Sequence, residues 1–108
     1  MQAVPRINSQ YLNHYNNKTV KLLCKVIKFD GDKALVLAPD QGQITVTLTP
    51  QSNWSEPIVE VVGKVTSEGI TELYSCSWKV KDPDATLEIA NKVVKLTHEY
   101  PDIFPATE

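Results

Sequence analysis

The segment that most constrains this chain is Leu87 to Tyr100, a helical pattern that is apolar over half its circumference. At about 100° per residue, Leu87, Ile89, Ala90, Val93, Val94, Leu96, Thr97 and Tyr100 fall within an arc of roughly 180°. Glu88, Asn91, Lys92, Lys95, His98 and Glu99 fill the remainder. A helix lying on a single core needs a stripe of only about 100°. One part of the arc can therefore cover the helix's own domain while the rest buries against a partner. Ile89, Val93, Leu96 and Tyr100 form the row expected to meet a partner. Leu87, Ala90, Val94 and Thr97 form the adjoining row, which faces either the domain or a second partner.

The rest of the chain reads as strands. Thr19 to Phe29 is a long first strand, with Val20, Leu22, Cys24 and Val26 on one face and Lys21 and Lys25 on the other. Asp30-Gly31-Asp32 turns the chain into Lys33 to Ala38, and Pro39-Asp40-Gln41-Gly42 turns it again. Gln43 to Leu48 alternates, with Ile44, Val46 and Leu48 inward. A polar connection from Thr49 to Pro57 leads to Ile58 to Thr66, where Gly63 predicts a bulge or sharp bend. Ile70 to Trp78 is the fifth strand. Ser9 to Tyr15 has room for one helical turn. The C-terminal helix is expected to start at Asp84 or Thr86 and to stop at Pro101.

This order fits an all-β OB-fold, a five-stranded antiparallel Greek-key barrel, followed by the C-terminal helix; small barrels of SH3-like type give a similar pattern, and strand count alone separates them poorly. The expected divisions are an N-terminal arm (1–18), the barrel (19–80), and a linker, assembly helix and tail (81–108).

The net charge of −2 excludes the strongly basic balance of most free-standing nucleic-acid binders. The charge is uneven, with six basic and two acidic side chains in residues 1–33 against five and eleven thereafter. No apolar run approaches the ~20 residues of a membrane span. The first residues lack the apolar stretch of a signal peptide, so a secretory route is not expected and the two glycosylation sequons, at Asn17 and Asn53, read as chance. Cys24 and Cys76 lie in apolar strand patterns and are expected to be small buried residues in a reducing compartment.

No catalytic set emerges. His14 and His98 stand apart, His98 on the polar arc near the helix C-terminus, where a cation complements the helix dipole. The four glycines are scattered at turns, so no phosphate-cradling loop can be built. Asp30/Asp32 and Asp82/Asp84 sit in turn-like segments and suit capping. The chain is expected not to be an enzyme and to need neither cofactor nor metal.

Three strings carry a family resemblance: Pro5-Arg6-Ile7-Asn8, Val59-Glu60-Val61-Val62-Gly63-Lys64-Val65-Thr66, and Asn91-Lys92-Val93-Val94-Lys95-Leu96 running on to Tyr100-Pro101-Asp102-Ile103-Phe104-Pro105. In order and spacing the chain resembles the smallest subunit of replication protein A, the eukaryotic single-stranded DNA-binding heterotrimer. That resemblance implies an OB-fold plus a helix that joins one helix each from the large and middle subunits in a three-helix bundle. It also implies a nuclear role in DNA replication, repair and recombination, with single-stranded DNA met mainly through the complex. The chain departs from the family at Cys24, where members can carry glycine at or near this position, and in Gln51-Ser52-Asn53-Trp54-Ser55. A similar barrel-plus-helix plan occurs in the small OB subunit of telomere-end complexes.

An OB barrel holds single strands through aromatic platforms in a positive groove on the second and third strands and the adjoining loops. Ala34 to Leu37 and Ile44 to Leu48 supply neither aromatic nor basic side chains, and the flanking loops carry Asp30, Asp32 and Glu68. The ordinary DNA-binding face thus reads as disabled. Lys21 and Lys25 remain weak candidates for phosphate contact, and they are what an autonomous nucleic-acid-binding module would use.

Overall fold

The computed structural model describes residues 4–50, 52 and 54–100. Pro101 and the tail that follows lie outside them, as do Gln51 and Asn53. The elements are β1 (Thr19–Asp30), β2 (Lys33–Leu37), β3 (Gln43–Thr47), β4 (Ile58–Thr66), β5 (Gly69–Trp78) and α1 (Pro83–Glu99), preceded by a short 3-10 helix (Ser9–Tyr15).

The strands close into a barrel in the order β1-β2-β3-β5-β4. β1 is long enough to serve two partners, pairing with β4 through Thr19–Lys25 and with β2 through Lys25–Asp30. Inward residues alternate along each strand, so Val20, Leu22, Cys24, Val36, Val46 and Val61 meet in one core. Val26 packs only at the edge of that core, because the β1–β2 register shifts between Val26 and Lys28.

One expectation is corrected: the sheet is mixed, not antiparallel. β3 and β5 close the ring in parallel, Val46 against Ile70 and Thr47 against Thr71. The reason is arithmetic. A ring of five strands cannot alternate direction at every junction, so one pair must run in parallel.

Gly63 marks the bend. The β4–β5 register slips between Val62, opposite Tyr74, and Gly63, opposite Glu72, leaving Leu73 as the extra residue. A Cβ at Gly63 would lie 2.4 Å from the Thr71 carbonyl oxygen, so only glycine allows the strands to approach here. The extra residue also inverts the phase of β5. Ile70 and Glu72 are buried before it, whereas Tyr74, Cys76 and Trp78 are exposed beyond it. Cys76, expected to be buried, therefore faces outward, and only Cys24 is a core cysteine.

The N-terminal arm completes the wall. Ile7 N–H donates to the Lys21 carbonyl (3.0 Å) and Lys21 N–H to that of Pro5 (2.9 Å), placing the arm along the stretch of β1 that β2 does not reach. Asp40 holds the 3-10 helix by accepting from Ser9 N–H (3.1 Å) and Gln10 N–H (3.0 Å). Tyr11, Leu12 and Tyr15 then pack against the core.

α1 begins earlier than its sequence suggests. Asp82 is the N-cap and accepts from Ala85 N–H (3.2 Å), with Pro83 in the first turn, where its missing N–H costs nothing. Neither Asp84 nor Thr86 caps the helix; the Thr86 hydroxyl donates back to the Asp82 carbonyl (3.0 Å). The helix is described to Glu99, with Tyr100 as its C-cap.

Candidate partner interface

α1 packs on the outer face of β1. Lys25 pairs with Asp84 at its start (3.0 Å), and Asn8 Nδ2 donates to Asn91 Oδ1 (2.8 Å) midway. At its end, His98 stacks on Tyr11, and its Nε2–H donates to the Arg6 carbonyl (3.0 Å). His98 is thus not on a solvated arc as expected, but half-buried against the arm.

These anchors orient the helix. Leu87 and Val94, one row of the arc, are 0 % and 3 % exposed, and Ala90 and Thr97 beside them are half-buried. Burying a side chain of that size stabilises by about 1.5–3 kcal/mol. The other row stays in the open, with Ile89 63 %, Val93 41 %, Leu96 41 % and Tyr100 51 % exposed. Four large apolar residues at helical spacing, all facing solvent, form an exposed apolar patch, the candidate interface of this chain.

Lys21 and Lys25 do share a face of β1, but it is the face that carries α1. Lys25 is engaged by Asp84, and the Lys21 backbone is bonded to the arm. The OB cleft lies elsewhere, lined by Lys28, Asp30, Lys33, Ala34, Leu35, Thr45 and Glu68. Its two cations face two carboxylates, and among the described residues that line it there is no aromatic ring. Phe29 is turned toward Trp54 instead, with ring centroids 6.1 Å apart.

One feature escaped the sequence reading. Glu72 is a buried acid inside the barrel end, accepting from Thr49 N–H (3.1 Å), from the Ser52 hydroxyl and from Trp54 Nε1–H (3.3 Å). Burial pushes its carboxyl up, but the hydrogen bonds from Ser52, Ser75, Thr49 and Trp54 outweigh this and hold it below the ordinary 4.5. Trp54, whose Nε1–H also donates to Ser75 Oγ (2.8 Å), is thereby held as a lid over the core. The only sequence signal was that Glu72 alternates with Ile70. Among the described residues no three His, Cys, Asp or Glu side chains come together to hold a metal ion.

Residues 1–104 match the family model described as Replication factor A protein 3. The chain belongs to that family. Its fold is that of a chain in the Ustilago maydis replication protein A structure bound to single-stranded DNA, with a TM-score of 0.86 and 31% identity over 96% of this chain and 97% of that one. The Schizosaccharomyces pombe Stn1-Ten1 complex contains a chain with a TM-score of 0.65 at 12% identity, covering 87% of this chain and 94% of that one. Ten1 from the same yeast gives 0.65 and 12% over 86% and 99%. At that identity the yeast proteins share the fold with this family member. No curated protein sequence matches the chain.

Proposed function

We propose that this chain is the non-catalytic structural subunit of a replication protein A complex. Its helix would join it to the large and middle subunits in a three-helix bundle that serves DNA replication, repair and recombination in the nucleus. The observation that carries this reading is the exposed row Ile89, Val93, Leu96 and Tyr100 on a helix whose other row is already spent on the barrel. In this reading the barrel is a rigid platform. Its cleft lacks the stacking rings that are each worth about 1–3 kcal/mol of single-strand affinity, so single-stranded DNA is met mainly through the complex.

Co-purification with the large and middle subunits tests the proposal. Wild type should be recovered in a complex of one copy of each subunit, and Val93→Glu or Leu96→Glu should remain folded but unassembled, because each would bury an unpaired charge. Full assembly of both variants would remove this role from the helix. A second reading, the small OB subunit of a telomere-end complex, draws on the fold shared with Ten1. Offering the chain both sets of partners separates the two. An autonomous DNA-binding module would instead bind single strands alone, with affinity falling steeply in salt and on reversal of Lys21 and Lys25.

A further inference from the structure

The exposed row of α1 does not stand alone; it overhangs a second apolar surface. Asn91 and Asp84 lie on the flank of the helix turned to the arm and to Lys25, together with the charged Glu88, Lys92 and Lys95. The opposite flank carries Thr86, Ala90 and Val93. These line two grooves against the barrel, Thr86 with Leu23, Ile58 and Trp78, and Ala90 and Val93 with Leu23, Glu60 and, reaching in from the arm, Arg6 and Ile7. The apolar flank therefore leans over β4 and β5.

The outer face of those strands presents large apolar side chains, with the Arg6–Glu60 ion pair (3.7 Å) set among them. Tyr74 is paired with Val62, Cys76 with Glu60 and Trp78 with Ile58, and directly paired residues project from the same face. Tyr74 is 62 % and Trp78 50 % exposed. α1 and this wall thus make a corner with two apolar sides. Its width fits one kind of occupant. Neighbouring strands are about 4.8 Å apart, so β4 and β5 run roughly 5 and 10 Å to the side of β1, over which α1 lies. Packed helices are spaced about 8–10 Å. A helix packed beside α1 on its apolar flank comes to rest on β4 and β5.

We propose that this corner is the bed of one partner helix, which is amphipathic, apolar on two adjacent flanks, and packed at once on Ile89 and Val93 of α1 and on Tyr74 and Trp78 of the barrel. This rests on the assembly role proposed above, and it assigns the barrel wall a share of the seam. Strand β5 is thereby an interface element as well as a wall of the core.

Cys76 is a built-in reporter, lying between Tyr74 and Trp78 on the same face. Cys24 does not interfere, since it is buried and its thiol is pushed up to about 12 by that burial. The rate of N-ethylmaleimide addition to Cys76, read by mass spectrometry of its peptide, is compared in the full chain alone and in the complex with the large and middle subunits. The expected result is at least a tenfold slowing in the complex. Tyr74→Glu should weaken capture at least tenfold while the melting of the chain alone is unchanged.

If Leu96→Glu blocks assembly but Cys76 reacts equally fast in both states and Tyr74→Glu assembles normally, the corner proposal is overturned and the assembly role stands. If wild type does not assemble at all, both fall. A chain that is dimeric by itself with Cys76 already protected would show a second copy in the corner and would overturn the partner-helix assignment.

Discussion

His98 lies flat on Tyr11, with ring centroids 4.0 Å apart and planes 13° from parallel. This contact joins the last turn of the helix to the arm at the other end of the chain, and the His98 bond to the Arg6 carbonyl reinforces it. It aims the exposed row. With Asn8–Asn91 and Lys25–Asp84, it holds α1 at three points along its length, so the open row keeps a fixed orientation on the barrel.

Removing that contact should loosen the end of α1 without unfolding the barrel. A stacked pair adds about 0.5–1.5 kcal/mol beyond its burial, and the hydrogen bond a similar amount. His98→Ala is expected to cost about 1–2 kcal/mol in urea unfolding and to raise amide exchange in the last helical turn. A double-mutant cycle with Tyr11→Ala should return a coupling of about 1 kcal/mol; additive losses would show that the rings do not cooperate.

The two rows of the helix should separate by experiment. Leu87→Ala empties a buried site and is expected to destabilise the isolated chain by about 2–5 kcal/mol. Leu96→Ala, on the open row, should change that stability by no more than about 0.5 kcal/mol while weakening assembly. Equal losses of stability in the two variants would mean that the helix sits differently on the barrel.

Glu72 makes stability depend on pH. Its folded carboxyl lies below 4.5 and its unfolded one near that value, so between the two the unfolded state binds more protons. The stabilisation is complete above about pH 5 and is lost as pH falls through the folded value. Glu72→Gln should flatten that acid limb and cost about 1–3 kcal/mol at pH 7, because donors are left poorly matched. Urea midpoints between pH 7 and 3, with tryptophan emission in a Trp78→Phe background reporting on Trp54, provide the measurement.

Gly63→Ala tests the bend. Its new methyl would be forced against the Thr71 carbonyl and Ile70, and such overpacking costs about 1–3 kcal/mol. Gly31→Asn is the control, since Gly31 has open space around it and a φ of 64°, which asparagine tolerates. Gly63→Ala is expected to lower the melting temperature by several degrees, while Gly31→Asn leaves it within about 2 °C.

The strands, their turns and the double-sided helix were all legible in the sequence, because alternation and helical periodicity are local properties that burial on one face imposes. Val20, Leu22 and Cys24 had to share a side, and Leu87 had to share one with Val94. Local periodicity cannot say what lies opposite. It did not reveal that Leu73 would bulge beside Gly63, and that single extra residue decides that Glu72 stays inside and Cys76 goes out. Nor did it reveal that five strands close through a parallel pair, or which row of α1 lies on the barrel. That last choice is made by Asn8, Tyr11 and Lys25, which meet the helix across 83, 87 and 59 residues of chain. Periodicity sets which residues travel together; contacts between distant segments set where each group faces, because only in the closed barrel do those segments come within bonding distance.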